Sequence, residues 1–145
     1  MSKVIAIDPG NYKCGIVLAD LEHKIVDEAI VIQGNLLLKY LKKIFQRDDY
    51  IELLIGNGTS SQKYIKVLNK LTTKIIIVEE KNSTYRAKQR YFEIFPLIGL
   101  KSFLPREIFL IDKNLDALAA LIIMEDHYDC KFDLSQKIST KTWLK

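Results

Sequence analysis

The sequence predicts a mixed α/β domain, a five-stranded sheet of order 3-2-1-4-5 with three antiparallel strands first and helices on its faces. Three observations predict it. Residues 3–32 hold three β-branched, apolar stretches separated by links of only a few residues, and parallel neighbours would need a crossover of about a dozen. From residue 36 onward the apolar period alternates between that of a helix and that of a buried strand. Finally, 145 residues that are 48% hydrophobic and 28% charged suit one domain with one core.

Lys3–Asp8 (KVIAID) is the first strand and runs into the turn signal Pro9-Gly10. Lys13–Ala19 is the second, Asp20–Lys24 a polar turn, and Ile25–Ile32 the third. Leu36–Phe45 is helical, with Leu37, Leu38, Leu41, Ile44 and Phe45 on one face and Lys39, Lys42 and Lys43 elsewhere. Ile51–Ile55 is a short buried strand ending at Gly56-Asn57-Gly58, after which Thr59 or Ser60 caps a helix running to about Leu71. Lys74–Val78 is a strand closed by Glu79-Glu80, and Asn82 or Ser83 caps a further helix to about Phe95. Pro96–Pro105 reads as a loop or short irregular helix, and Asn114–Tyr128 is the last helix, with Leu115, Leu118, Ala119, Ile122 and Ile123 at helical spacing. Right-handed crossovers place the later strands beside the first. The domain is expected over residues 1–130, with 131–145 either a polar tail or an arm docked by Trp143.

The 22 Lys and Arg against 18 Asp and Glu leave a net charge of +4, a surplus that permits a polyanionic partner without requiring one. Two cysteines, Cys14 and Cys130, and two histidines, His23 and His127, provide neither a disulfide framework nor zinc-ligand spacing. Reduced thiols are expected, and with them a cytoplasmic location. The amino-terminal MSKVIAIDPG lacks the apolar stretch of a signal peptide. No segment approaches the roughly 20 apolar residues of a membrane span, so no membrane partner is expected.

Chemistry in an α/β sheet gathers at the carboxyl ends of its parallel strands. Asp8 closes the first strand, Glu79 and Glu80 close the last, and Asp116 lies in the first turn of the final helix. A hard divalent cation such as Mg²⁺ takes oxygen ligands of this kind, and two such ions can hold the attacking and leaving oxygens of a phosphoryl displacement. Each acid also has an ordinary structural role open to it. Asp8 can form the turn, Glu79 and Glu80 can solvate a strand end at a helix start, Asp116 can serve the helix dipole, and Asp112 can be a cap. Spacing alone does not separate the two sets of roles.

The stretches IDPGNYKCGIVLAD, IGNGTSS, VEEKNST and LDALAALIIMEDHY occur in the order seen in YqgF/RuvX-type domains, small RNase H-like nucleases, and the likeness spans about Lys3–Tyr128. Asp8-Pro9-Gly10 with Lys13 and Gly15 resembles the first-strand signature, and Glu79-Glu80-Lys81 stands where the family usually has Asp-Glu-Arg. Asp116 with Ala119-Ala120 resembles the helix motif that supplies the last acid. The resemblance implies an RNase H-like fold, catalysis by Asp8, Glu80 and Asp116 on bound Mg²⁺ or Mn²⁺, and nucleic acid, RNA or branched DNA, as partner. Lys13 and Lys81 stand where Arg is common, which keeps the charge and loses the bidentate fork. The GNGTSS turn is closer to the YqgF-like domain of the transcription accessory protein Tex, which looks catalytically incomplete; the complete set of acids here favours an enzyme.

Expected nucleic-acid contacts are Lys13, the helix start at Thr59, Ser60 and Ser61, Lys81, and the stretch Ser83, Thr84, Arg86, Lys88 and Arg90. Arg86 and Arg90 share a helix face, and Tyr85 and Tyr91 interleave with them as stacking candidates. Lys101 and Arg106 flank an aromatic loop that is a further candidate. A plain capping turn and a solvated helix face explain the same residues without a ligand. Two roles compete within the resemblance: trimming of precursor ribosomal RNA, which it favours, and Holliday junction resolution, which needs a homodimer. A non-catalytic nucleic-acid-binding domain is the reading of a different class. A sugar-kinase or actin-like ATP-binding half, suggested by DPGNYKCG, would need a second domain that 145 residues do not supply.

Overall fold

The computed structural model describes residues 2–47, 51–72, 74–81, 83–105 and 115–135. Strands β1 (Lys3–Pro9), β2 (Lys13–Asp20) and β3 (Ile25–Gln33) form an antiparallel meander. A short 3₁₀ turn, Gly34–Leu36, leads into α1 (Leu37–Phe45). Then follow β4 (Ile51–Gly56), α2 (Ser61–Leu68), β5 (Ile75–Val78), α3 (Ser83–Ile94), a 3₁₀ turn at Gly99–Phe103, α4 (Asp116–Tyr128) and β6 (Asp133–Leu134). The sheet order is β5-β4-β1-β2-β3-β6, with β4 parallel to β1 and β5 parallel to β4. This is the expected mixed α/β architecture and the expected order 3-2-1-4-5, with one difference. A sixth strand, β6, lies parallel to β3 through Ile25–Asp133 and Val26–Leu134.

The two-residue period of β1 divides the core. Ile5 and Ile7 point to one side, where they pack with Ile16, Leu53 and Ile55 under Leu37, Leu41 and Ile44 of α1 and Tyr64 and Leu68 of α2. Val4 and Ala6 point to the other, with Val17, Ala19 and Ala29, and α4 lies on them. Small residues dominate the sheet surface beneath α4, so that helix sits close. Every residue of α4 from Ala117 to Glu125 is buried. The single apolar face expected of it was too narrow: a helix apolar all round belongs inside a fold, and α3 covers part of its outer side through Ala87 and Phe92.

Three expectations change in detail. Helix α2 ends at Leu68, short of Leu71, because Lys70 and Leu71 close a tighter turn onto Val67 and Leu68. Ser60 holds the N-cap position but makes no side-chain cap bond; its backbone is helical, and its hydroxyl donates to Asn11 Oδ1 at 2.6 Å. Residues 131–135 lie against the domain through the buried Phe132 and β6, while Trp143 lies outside the described residues. Asp112, Arg106 and Asn114 also lie outside them.

Candidate active site

Four chain segments meet at the carboxyl edge of the parallel strands. Asp8 is the penultimate residue of β1, Asn57 follows β4, Glu80 stands two residues past β5, and Asp116 opens α4. Asp8 shares its parity with Val4 and Ala6, so its side chain leaves the sheet on the α4 side.

Two glycines make room for the other acids. Gly15 is the cross-strand partner of Asp8, and a Cβ there would fall on the backbone of Asp116 and Ala117. Only a residue without a side chain lets the start of α4 rest on β2 beside Asp8. Gly56 plays the same part for Glu80, whose carboxyl occupies the space that a Cβ at residue 56 would need. Asn57 then fixes the chain on which Glu80 is carried. Its Oδ1 accepts from the Glu80 backbone N–H at 3.0 Å, and its own N–H donates to Val78 O at 3.0 Å.

Asp8 reports the electrostatics of this edge. Its carboxyl is pushed up to about 8, first by burial, then by the charges of Glu80 and Asp116, and last by the hydrogen bond it shares with Glu80. All four influences act in one direction, and each favours the protonated form of Asp8. Glu80 Oε1 is buried and has no hydrogen-bond partner among the described residues. The neighbouring Cys14 thiol is pushed up to about 12 by burial and by the charges of Asp8 and Asp116. That keeps it a neutral, unreactive core residue.

Crowded carboxyls with an orphaned buried oxygen make an all-oxygen donor set that fits a hard divalent cation. Among the described residues, however, no group of three or more His, Cys, Asp or Glu side chains stands ready-made as a metal shell. Asp8 lies within hydrogen-bonding reach of Glu80, and Asp116 acts on Asp8 through its charge.

The basic and hydroxyl candidates fall into two groups. Lys13 is exposed at the start of β2, and no ion pair involves it among the described residues. Thr59 and Lys81 are also exposed, Lys81 lying 3.6 Å from the exposed Glu79. Ser83 and Thr84 open α3. Arg86 and Arg90, by contrast, turn toward α4. Both fork nitrogens of Arg86 donate to Asp126. Arg90 donates to Glu125 at 2.9 Å, to Glu93 at 3.1 Å and to Phe132 O at 2.8 Å. Tyr91 packs edge-on against Phe92 and tilted against Phe95, while Tyr85 remains exposed.

Sequence reasoning passed over Asn57, Asn11 and Lys63. The Gly-Asn-Gly turn after a buried strand was the available signal for the first, since Asn side chains bind backbone groups in turns. Nothing local marked the other two, because they meet across about fifty residues of chain: Lys63 Nζ donates to Asn11 O at 2.5 Å.

No family model matches the chain, and no curated protein does. Among solved structures, the chain is similar to T. thermophilus RuvC in complex with a Holliday junction substrate. That likeness has 12% identity and a TM-score of 0.48, over 91% of this chain and 99% of that one. It is also similar to the type II variant of the Aquifex aeolicus Ppx/GppA phosphatase, with 12% identity and a TM-score of 0.38, over 64% of this chain and 42% of that one. Among the described residues no helix is long and apolar enough to cross a membrane.

Proposed function

We propose that this chain is an RNase H-like nuclease that hydrolyses phosphodiester bonds of structured nucleic acid, with Asp8, Glu80 and Asp116 as its catalytic acids. The observation that carries the reading is the convergence of acids from distant parts of the chain on one sheet edge: Asp8 at the end of β1, the start of α4 at Asp116 seated on Gly15, and the Glu80 carboxyl seated on Gly56. Such crowding opposes folding, and sites that keep it are characteristically functional. Mg²⁺ or Mn²⁺ held by Asp8, Glu80 and Asp116 would supply Lewis-acid activation of water and neutralise charge on the phosphodiester.

The chain's own residues do the rest. Asp8 and Glu80 present oxygens from rigid strand ends, and Asn57 holds the backbone that carries Glu80. Gly15 brings the amino terminus of α4, with its positive dipole, against the same edge. Lys13, Lys81, Thr59, Ser83 and Thr84 would serve as phosphate contacts. The resemblance in the sequence points to ribosomal RNA precursors ahead of branched DNA as substrate.

The test is cleavage of a structured RNA precursor and of a four-way DNA junction in Mg²⁺ by the wild type, Asp8→Asn and Asp116→Asn. Each substitution is expected to lower the rate by about 10²-fold or more, since several kcal/mol of charge stabilisation depends on these oxygens. Equal activity in all three proteins would reject the acids. Tight binding by the wild type with no cleavage in Mg²⁺ or Mn²⁺ would make the chain a non-catalytic binding domain.

A further inference from the structure

Beside the β1–β2 turn lies a second feature, a cleft of about 580 Å³ lined in part by Tyr12, Lys13, Gln33, Asn35, Lys63 and Tyr64. That volume falls within the usual range for small-molecule sites. The turn beside it is fixed at four points. Tyr64 Oη donates to Gly10 O at 2.8 Å, Lys63 Nζ to Asn11 O at 2.5 Å, Ser60 Oγ to Asn11 Oδ1 at 2.6 Å, and Gly34 N to Tyr12 O at 2.8 Å. Yet the side chain carried by this rigid turn, Tyr12, is 86% exposed.

A flat aromatic ring held in water on an ordered backbone is a preorganised stacking platform. Two lysines line the cleft, no Asp or Glu does, and neither lysine is in an ion pair among the described residues. The charge is therefore complementary to an anion. The amides of Gln33 and Asn35 offer both donors and acceptors to the edge of a heterocycle. Tyr12 follows Asp8 by four residues, so at full extension the two lie within about 14 Å.

We propose that this cleft holds an unstacked nucleotide of a single-stranded segment next to the cleaved bond, with its base on Tyr12 and its phosphates on Lys13 and Lys63. The assignment rests on the nuclease reading for the presence of a strand at the acids. It adds that the substrate has an unpaired nucleotide there. An acidic peptide would satisfy the lysines but leave the aromatic platform and the amides without a matching group.

The test is fluorescence anisotropy with short labelled single-stranded RNA and DNA in EDTA, so that affinity is read without cleavage. Tyr12→Ala is expected to weaken binding about 5- to 150-fold, the range of one base stacked on an aromatic ring. Lys63→Gln is expected to reduce the slope of log K against log salt by about 0.7, one phosphate's counterion on a single strand. Lys63→Arg, which keeps the charge, should restore the slope. Melting curves of each variant verify that the fold is kept.

Wild-type affinity in both Tyr12→Ala and Lys63→Gln, in a protein that still cleaves, would overturn the cleft while leaving the nuclease reading intact. No binding of any oligonucleotide by the wild type would overturn both. An equal loss on fully paired duplex would overturn the unstacked base, and competition by polyglutamate as effective as by oligonucleotide would overturn the nucleic-acid assignment. Competition by a mononucleotide matching that of the strand would assign the cleft to free nucleotide instead.

Discussion

The acid edge and the seam between α3 and α4 use the same residue types in opposite ways. At the edge, Asp8 sits beside other carboxyls, and burial and their charges push its pKa up. At the seam, Arg86 and Arg90 answer Asp126 and Glu125, and Phe132 N also donates to Glu125 Oε1 at 3.1 Å. One region gathers like charges where a ligand can compensate them. The other closes its charges internally and so locks α3, α4 and the carboxyl-terminal arm together. The overall +4 describes neither.

The sharpest way to break this contrast is at the seam. The side chains of Arg90 and Glu125 are 12% and 7% exposed, so Arg90→Ala leaves a buried carboxylate without its counter-ion and Phe132 O without a donor. A loss of about 3–5 kcal/mol is expected, because removing one partner of a buried pair strands the other. Urea unfolding followed by circular dichroism measures it. A midpoint unchanged from wild type would mean that the seam does not hold the fold.

Breaking the edge should act in the other direction. Asp8→Asn removes the titrating member of the crowded set and keeps a donor for Glu80. In EDTA at neutral pH we expect it to gain about 0.5–2 kcal/mol, the usual size of a stability gain where a strained functional site is relaxed. The pH profile sharpens the point. A carboxyl whose folded value is raised from 3.8 to about 8 contributes stability below the unfolded value, and that contribution is lost as pH rises through the folded value. The wild type should therefore lose stability between about pH 4 and 8 by a component absent from Asp8→Asn. Added Mg²⁺ should raise the melting temperature of the wild type alone, since only its site keeps the full donor set. A variant less stable than wild type in EDTA would end the claim that the acids are crowded at a cost.

The reach of the sequence follows the same divide between local and distant. Lys3–Asp8, Ile51–Ile55 and Lys74–Val78 are bounded by Pro-Gly, Gly-Asn-Gly and Glu-Glu, so their ends, and the acids on those ends, are legible from period and turn chemistry. The same period places Arg86 and Arg90 on one face of α3, but it says nothing of what that face meets. Their carboxylate partners lie 40 and 35 residues further along the chain. A solvated face and a buried ion-paired seam look identical one helix at a time. β6 was invisible for another reason: two residues carry no period, and its place is set by Phe132 filling the core beside β3. Gly15 was read as part of a signature; its physical reason, the backbone of Asp116 pressed against it, needs the packing of α4.

The smallest effect separates Arg86 from Arg90. Arg86 binds Asp126 with both fork nitrogens, but the two side chains are 39% and 31% exposed. Water and salt screen such a pair, so Arg86→Ala is expected to cost about 0.2–1 kcal/mol, several-fold less than Arg90→Ala. Because its fork is already filled by a carboxylate, oligonucleotide affinity at moderate salt should change less than about twofold. A large affinity loss with little loss of stability would instead show the guanidinium leaving Asp126 for a phosphate. It would move α3 from the closed seam to the rim of the acid edge.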